Sequence, residues 1–442
     1  MRAAVLGAGL AGCEAAWQLA RRGVAVELWE MKPKRFQSVH HSAGFAELVC
    51  SNSLRSASLE NAVGILKEEM RRLGSIVMLA ADAAALPAGG ALAVDRDAFS
   101  GRITEYIRSH PNITVVNEEA TAIPNGPCVV ATGPLTDGAM ADAIKSLCGG
   151  NQLNFFDAVA PIVTRESIDM DNAFELSRWG KGNDYINCPL TEEQYDGFWS
   201  ELVSARSADL HDIDRDLKVF EGCMPVEIMG KRGRDTLRFG PMKPIGLTDP
   251  KTGRRPFAVV QLRQDNAEGT HWNIVGFQTQ LAWPEQKRVF GMIPGLARAE
   301  YVRYGVMHRN TFLNSPELLD RDFSYKNSRR LYFAGQITGV EGYVESAASG
   351  LVAGAALARQ LTGQPAVDLT RRTAIGSLGY YIAEGNLLGR EFVPMNANFG
   401  IMEKLPEKVR GGGRGRRQAM AERALAEIER IAGELAPQEE IQ

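Results

Sequence analysis

Apolar residues open the chain as a short unbroken run, Ala3 to Leu6, and then take up helical spacing from Leu10 to Arg22, with Gly23 just beyond. A run that short predicts a strand buried on both faces, and the longer period of 3.6 predicts a helix stopped by glycine. Val24–Trp29 is predicted to be a second buried strand, closing on Glu30. Residues 36–60 lose the periodicity and fill with Ser, Asn and His, which predicts a long loop. Helical spacing returns over Leu59–Leu73 and Arg96–His110, while Ile113–Val116 and Cys128–Ala131 add two short strands. Alternating strands and helices of this kind predict a parallel sheet.

From about 160 to 315 the texture changes to aromatics, prolines and alternating runs such as Phe257–Leu262 and Asn273–Phe277, the pattern of a mixed α/β insertion. Parallel-fold texture resumes with the strand at Leu331, which ends at Gly335. A helix begins around Tyr343 and contains the small-residue stretch Ser346–Ala358, a composition that also suits close packing in a core. A last helix is predicted over Gln418–Leu435. There is no internal repeat.

Composition narrows the reading mainly by exclusion. With 442 residues the chain is long enough for two or three domains, and 45% hydrophobic content supports ordinary cores. A net charge of −3 excludes a global basic field, so any nucleic acid must be held by local patches. The six cysteines form no C-x-x-C, and of the six histidines only His40 and His41 adjoin; neither a disulfide framework nor a metal site is expected. The apolar N-terminus imitates a signal peptide but carries Glu14, Gln18 and three glycines. The stretch Ile76–Val94 is broken by Asp82, Pro87, Gly89 and Gly90. A cytoplasmic protein with no membrane span is expected.

The strand–loop–helix at the start carries Gly7-Ala8-Gly9-Leu10-Ala11-Gly12, a G-x-G-x-x-G fingerprint. Gly7 allows the tight turn, Gly9 lets backbone approach a pyrophosphate, and Gly12 lets helix and strand pack closely. The pyrophosphate would sit on the helix N-terminus, and Glu30 is placed to accept from ribose hydroxyls. Two further segments point to FAD rather than NAD. Val129-Val130-Ala131-Thr132-Gly133 resembles a strand-end motif of two-dinucleotide flavoproteins, with Thr132 and Gly133 near the adenosine. The segment from Leu331 through Gly335, Gln336, Gly342 and Tyr343 resembles the C-terminal flavin motif. The expected fold is therefore α/β: a Rossmann-like, glutathione-reductase-like FAD-binding domain built from both ends, 1–160 and 315–442, with a mixed α/β domain inserted at 161–314. No second fingerprint exists, so a nicotinamide donor would bind without a Rossmann domain of its own.

Among the cysteines, Cys13, Cys128, Cys148 and Cys188 read as small buried hydrophobes. Cys50 and Cys223 keep different company. Cys50 lies in the polar loop Leu48-Val49-Cys50-Ser51-Asn52-Ser53-Leu54-Arg55, and Cys223 on a Gly-Cys turn followed by Lys231, Arg232 and Arg234. Neighbouring cations and loop amides turn a thiol into a nucleophile. Six basic side chains, Lys404, Lys408, Arg410, Arg414, Arg416 and Arg417, surround Gly411-Gly412-Gly413. They form the best candidate for phosphate contacts, ahead of Lys231–Lys243 and Arg254-Arg255; each patch read alone is equally well a solvated face.

In combination, Glu47 to Arg55, Phe220-Glu221-Gly222-Cys223-Met224-Pro225-Val226-Glu227, Arg238-Phe239-Gly240-Pro241-Met242-Lys243-Pro244 and Phe333 to Tyr343 resemble the folate- and FAD-dependent tRNA (uracil-5-)-methyltransferases, from residue 1 past 400. The resemblance implies formation of 5-methyluridine at position 54 in the T-loop of tRNA. Methylenetetrahydrofolate would give the carbon, and FAD would be recharged by NADPH or NADH. On that reading Cys223 adds to uracil C6 and Cys50 is a second thiol or proton-transfer partner near the flavin. The pterin is placed only by texture, against the isoalloxazine near the 36–55 loop and His308 or Arg309. No obligatory protein partner is expected. A plain NAD(P)H-dependent flavoprotein reductase accounts for both flavin motifs but leaves Cys50, Cys223 and the basic segment idle. A wobble-uridine modifier shares the Gly-Gln-Ile-x-Gly segment, but the chain's extent beyond that motif leaves little room for its long tRNA domain. A non-enzymatic RNA-binding flavoprotein would bind tRNA without transferring methyl groups.

Overall fold

The computed structural model describes residues 1–37, 39–150, 152–208, 224–385, 392–407 and 409–437. One six-stranded sheet has the order Ser324–Tyr325, Ser328–Phe333, Cys128–Val130, Arg2–Leu6, Ala25–Trp29, Ile113–Val116. Its five long members run parallel, and Ser324–Tyr325 closes one edge antiparallel. Strands from the first and last thirds of the chain thus share one sheet, two places apart, because Cys128–Val130 pairs with both.

Helix Leu10–Ala20 follows the first strand, and helix Tyr343–Leu361 packs across it. The small residues of the second helix have a geometric cause. A Cβ on Gly354 would stand 2.6 Å from Ala15 O, and one on Gly350 would fall well inside contact distance of Ala11 O. The two helix backbones touch, which close-packed interiors allow only where side chains are missing.

Several boundaries differ from the sequence reading, and the helix expected over Leu59–Leu73 shortens to Ala62–Arg72. The first helix ends at Ala20, two residues early. The polar stretch 36–60 contains a strand, Ser53–Ser56, paired with Ala91–Val94, which pairs in turn with Ala85–Leu86. The last helix starts at Gly412, not Gln418: Gly411 turns left-handed at φ +94°, and Gly415 leaves room for the Arg410 carbonyl. The glycines there begin a helix instead of forming a loose loop.

A second sheet, wholly antiparallel, has the order Phe174–Glu175, Tyr185–Leu190, Ala258–Gln264, His271–Ile274, Ile162–Thr164, Tyr301–Arg303. It has its own core, in which Ile186, Val260, Leu262 and Ile274 meet Phe198, Phe277 and Phe290. The chain enters and leaves this region through a two-stranded ribbon, Gln152–Ala158 against Met307–Leu313. Along Ala258–Gln264 the residues alternate. Val260 and Leu262 enter the core, whereas Gln261 and Arg263 are buried on the opposite face.

Lys67, on helix Ala62–Arg72, is fully buried and donates to Leu54 O and Ser56 O, both at 2.7 Å. Burial first, then the charge of Arg55, lowers its pKa to about 7. A neutral amine carries two N–H groups, matching the two carbonyls. The unfolded lysine keeps its proton to about pH 10.4. Between pH 7 and 10 the unfolded chain therefore holds more protons, and stability rises with pH through that window. In urea melts, the pH slope of unfolding free energy should be steeper in the wild type than in Lys67→Met, by up to ~1.4 kcal/mol per pH unit. Parallel profiles for the two proteins would place the titration elsewhere.

Candidate active site

A cleft opens along the C-terminal ends of the parallel strands, the side on which such sheets bind nucleotides. Of the residues expected to hold the cofactor, Gly7, Ala8, Gly9, Leu10, Ala11, Glu30, Thr132, Gly133, Gly335, Gln336 and Tyr343 all line it. Gly12 and Gly342 stand behind the wall. A Cβ on Gly12 would collide with Gly7 O, and one on Gly7, at φ +95°, would stand 2.6 Å from Ala131 O. By contrast, a Cβ on Gly9 or Gly133 would meet no protein atom within 4 Å. Backbone is bare there and faces open space.

Helix Leu10–Ala20 has no side-chain cap at Gly9, and helix Tyr343–Leu361 has none at Gly342, so first-turn amides of both are left for a ligand. Glu30 accepts from Ala8 N at 2.9 Å and Lys32 N at 3.0 Å. Its carboxylate clamps the glycine loop to the end of the second strand and keeps lone pairs to spare. Arg35 pairs with Glu119 and, at 2.7 Å, with Asp137 at the cleft margin. Thr136 Oγ1 lies 2.7 Å from both Thr132 Oγ1 and Gly133 O, fixing that turn. Bare glycine backbone, two uncapped helix starts and a strand-end acid suit a dinucleotide with a pyrophosphate bridge.

The Cys50 loop adjoins the cleft through Glu47 and Val49, which line it, while Cys50 itself is not among the lining residues. Tyr343 Oη accepts from Cys50 N at 2.6 Å and Ser51 N at 3.2 Å, tying the loop to the start of the C-terminal helix. Three arginines close round it. Arg303 donates to Val49 O and Cys50 O, both at 2.9 Å. Arg96 donates to Leu48 O and Cys50 O and is paired to Asp265 at 2.8 Å. Arg263 reaches Ser51 Oγ at 2.8 Å and Asn52 Oδ1 at 3.0 Å. All three guanidinium groups lie within electrostatic range of the Cys50 thiol. Two of them come from the second sheet, so that sheet supplies positive charge to the Cys50 loop. Arg55, the cation nearest Cys50 in sequence, turns away and pairs with the buried Glu345.

Beside the loop, Glu47 accepts from His40 Nδ1 at 3.0 Å and His41 N at 2.8 Å, with Lys32 Nζ 3.6 Å away. Burial pushes this carboxyl up, but the His40 and His41 hydrogen bonds and the Lys32 charge outweigh it, and its pKa is lowered. It stays ionised and braces the polar loop against the cleft wall.

Sequence reasoning missed Arg96, Arg263, Arg303 and Asp265. The available signal was Gln261 and Arg263 at alternate positions of an otherwise apolar strand, which marks a second buried face. Cys223 and Lys408 lie outside the described residues, as do the side chains of His308 and Arg309. Lys404, Arg410, Arg414 and Arg416 are exposed and Arg417 half-buried; Arg414 pairs with Glu60 at 2.7 Å. Within Lys231–Lys243, Arg234 is paired with Asp196 and Glu192, and Arg238 lies 3.6 Å over the Phe257 ring. Those two arginines hold their own domain together.

A family model described as glucose inhibited division protein A matches residues 2–365. The methylenetetrahydrofolate--tRNA-(uracil-5-)-methyltransferase TrmFO of Acetivibrio thermocellus is 62% identical over 408 residues, 92% of this chain and 93% of that protein. The Bacillus subtilis protein of the same name is 55% identical over 429 residues, 97% of this chain and 98% of that one. Among solved structures, Aquifex aeolicus GidA in its form I crystal superposes with a TM-score of 0.70 at 16% identity, covering 99% of this chain and 76% of that one. The last comparison speaks to the fold, a flavoprotein-type α/β architecture. With kinship over nearly the whole length, the chain belongs to the family of methylenetetrahydrofolate–tRNA-(uracil-5-)-methyltransferases.

Proposed function

We propose that this chain is an enzyme that methylates C5 of uridine 54 in the T-loop of tRNA. Methylenetetrahydrofolate is the carbon donor, FAD the resident cofactor and NADPH or NADH the electron source. Full-length similarity to enzymes of that name supports the reaction. On the chain itself, the observation that carries the reading is the Cys50 loop, held by Tyr343 at the mouth of a dinucleotide cleft and ringed by Arg96, Arg263 and Arg303.

Residues 1–160 and 315–442 form the flavin-binding unit, and 161–314 the unit facing folate and tRNA. FAD, when bound, carries the one-carbon unit and the two electrons that turn methylene into methyl. The protein's own groups do the rest. The thiolate of Cys223 adds to uracil C6, and electron density moves to C5, which forms the new carbon–carbon bond. C5 then loses its proton, and the bond between the one-carbon unit and its carrier breaks. Two electrons with a proton complete the methyl group as Cys223 leaves C6 and 5-methyluridine is released. Cys50 stands at the cleft as second thiol or proton-transfer partner. The arginines round its loop hold negative charge and exclude water. The basic segment, Lys404, Lys408, Arg410, Arg414, Arg416 and Arg417, holds tRNA phosphates.

The test is incubation of the holoprotein with an unmodified tRNA transcript, methylenetetrahydrofolate and NADPH, followed by nucleoside analysis. The expected product is 5-methyluridine, absent when any component is omitted. Flavin reduction without 5-methyluridine would favour the reductase reading instead. Among the described residues no helix is long and apolar enough to cross a membrane.

A further inference from the structure

Three aromatic rings form a ladder at the edge of the second sheet. Tyr301 stacks on Tyr304 with centroids 4.7 Å apart and planes within 9°, and Tyr304 stacks on Trp283 at 5.3 Å and 12°. Core pairs in this protein do not look like that: Phe277 meets Phe290 at 75° and Tyr195 meets Phe257 at 60°.

The ladder is built firmly. Tyr301 Oη donates to Gln286 O at 3.4 Å, and Gln286 exchanges two 2.8 Å hydrogen bonds with the backbone of Gly305. Trp283 opens helix Trp283–Phe290, with Pro284 fixing the backbone after it. Trp283 is 58% exposed although one ring face is covered by Tyr304, which leaves the other face open.

Two further observations say what that face is for. The ladder starts beside Arg303, the residue that grips the carbonyls of Val49 and Cys50, so one short strand joins it to the reactive end of the cleft. A hollow beside Tyr301 and Tyr304 is lined by the exposed Lys287, one helical turn on from Trp283, and by the exposed Arg298, with Glu300 as the one acid on its wall. A flat π-face whose own ladder is flanked by cations at Tyr301 and Tyr304 matches an unpaired nucleotide, with the base on the ring and a neighbouring phosphate at the cations.

We propose that the open face of Trp283 is a stacking platform for an unpaired base of the tRNA loop, a neighbour of the uridine that enters the flavin cleft. The proposal rests on the tRNA reading above. A uridine reaches the cleft only by leaving its stack, which strips its neighbours of a partner. A base laid on Trp283 makes a fourth plane on the ladder and recovers that contact. Stacking reads no hydrogen-bond pattern, so the platform accepts any base and leaves sequence choice to other contacts.

The test compares Trp283→Ala and Trp283→Phe holoproteins for affinity to an unmodified tRNA transcript, 5-methyluridine formation, and NADPH-driven flavin reduction without tRNA. Trp283→Ala should weaken tRNA affinity about ten- to one-hundred-fold, Trp283→Phe should recover most of it, and flavin reduction should be unchanged. With T-arm minihelices made abasic next to the target uridine, wild type should lose the same factor and Trp283→Ala nothing more. Equal affinity of Trp283→Ala and wild type, or fully additive losses, would overturn the platform. So would a raised KM for NADPH with tRNA affinity intact, which would assign the ladder to the cosubstrate's adenine. A wild type that makes no 5-methyluridine overturns the enzymatic reading and the platform together. One that makes it, unaffected by Trp283→Ala, overturns the platform alone.

Discussion

Replacing Cys223 by alanine is expected to abolish 5-methyluridine formation, by about 10³-fold or more, in a protein that still binds FAD, binds tRNA and oxidises NADPH. Uracil C5 is too poor a nucleophile to take up a one-carbon unit unaided, and a thiolate at C6 is the usual remedy. Cys223 follows a glycine and precedes Lys231, Arg232 and Arg234, whereas Cys13, Cys128 and Cys188 are buried with thiol pKa values pushed up by desolvation. Transcripts carrying 5-fluorouridine trap the adduct, because C5 then has no proton to lose. Wild type and Cys50→Ala should both give a protein–RNA band on a denaturing gel, with turnover lost in the second. Cys223→Ala should give none. A band that survives in Cys223→Ala and vanishes in Cys50→Ala would exchange the roles of the two cysteines.

The flavin half was legible in the sequence because its signals are local. Gly7, Gly9 and Gly12 each answer one steric demand within six residues, and Glu30 ends the adjoining strand. The Cys50 site was only half legible. Its loop announced itself by composition, and Arg55 was the natural cation to assign to it. That arginine goes to Glu345 because Glu345 is fully buried beside it, while Ala397 N holds the same carboxylate oxygen at 2.8 Å. A buried carboxylate costs several kcal/mol unless paired. The cations that do reach the loop come from positions 96, 263 and 303, and no local rule joins a helix start and two strands so distant along the chain. Gln261 and Arg263 carried a trace of the answer, since buried polar residues alternating with core residues imply a partner on the second face. Ser53–Ser56 was missed for the opposite reason: four residues with one apolar side chain give periodicity nothing to act on.

Gly12→Ala and Gly9→Ala should separate two meanings of the same fingerprint. The Gly12 methyl would overlap Gly7 O, and Gly7 has no room to retreat because its own Cβ position is 2.6 Å from Ala131 O. Helix, loop and strand end must therefore part, pulling the loop from the Ala8–Glu30 hydrogen bond. We expect Gly12→Ala to lose about 1–3 kcal/mol of stability by overpacking and to purify largely without flavin absorbance. The Gly9 methyl meets no protein atom within 4 Å, and φ there is −73°, ordinary for alanine. Gly9→Ala should keep the wild-type urea midpoint as apoprotein and still lose at least about 100-fold in FAD affinity, some 2.7 kcal/mol at 1.36 per decade, because its methyl stands where the pyrophosphate approaches the backbone. Flavin titration of both apoproteins, beside their urea melts, checks this. Wild-type FAD affinity in Gly9→Ala would mean that the cofactor does not approach the loop at that glycine, whatever the rest of the fingerprint suggests.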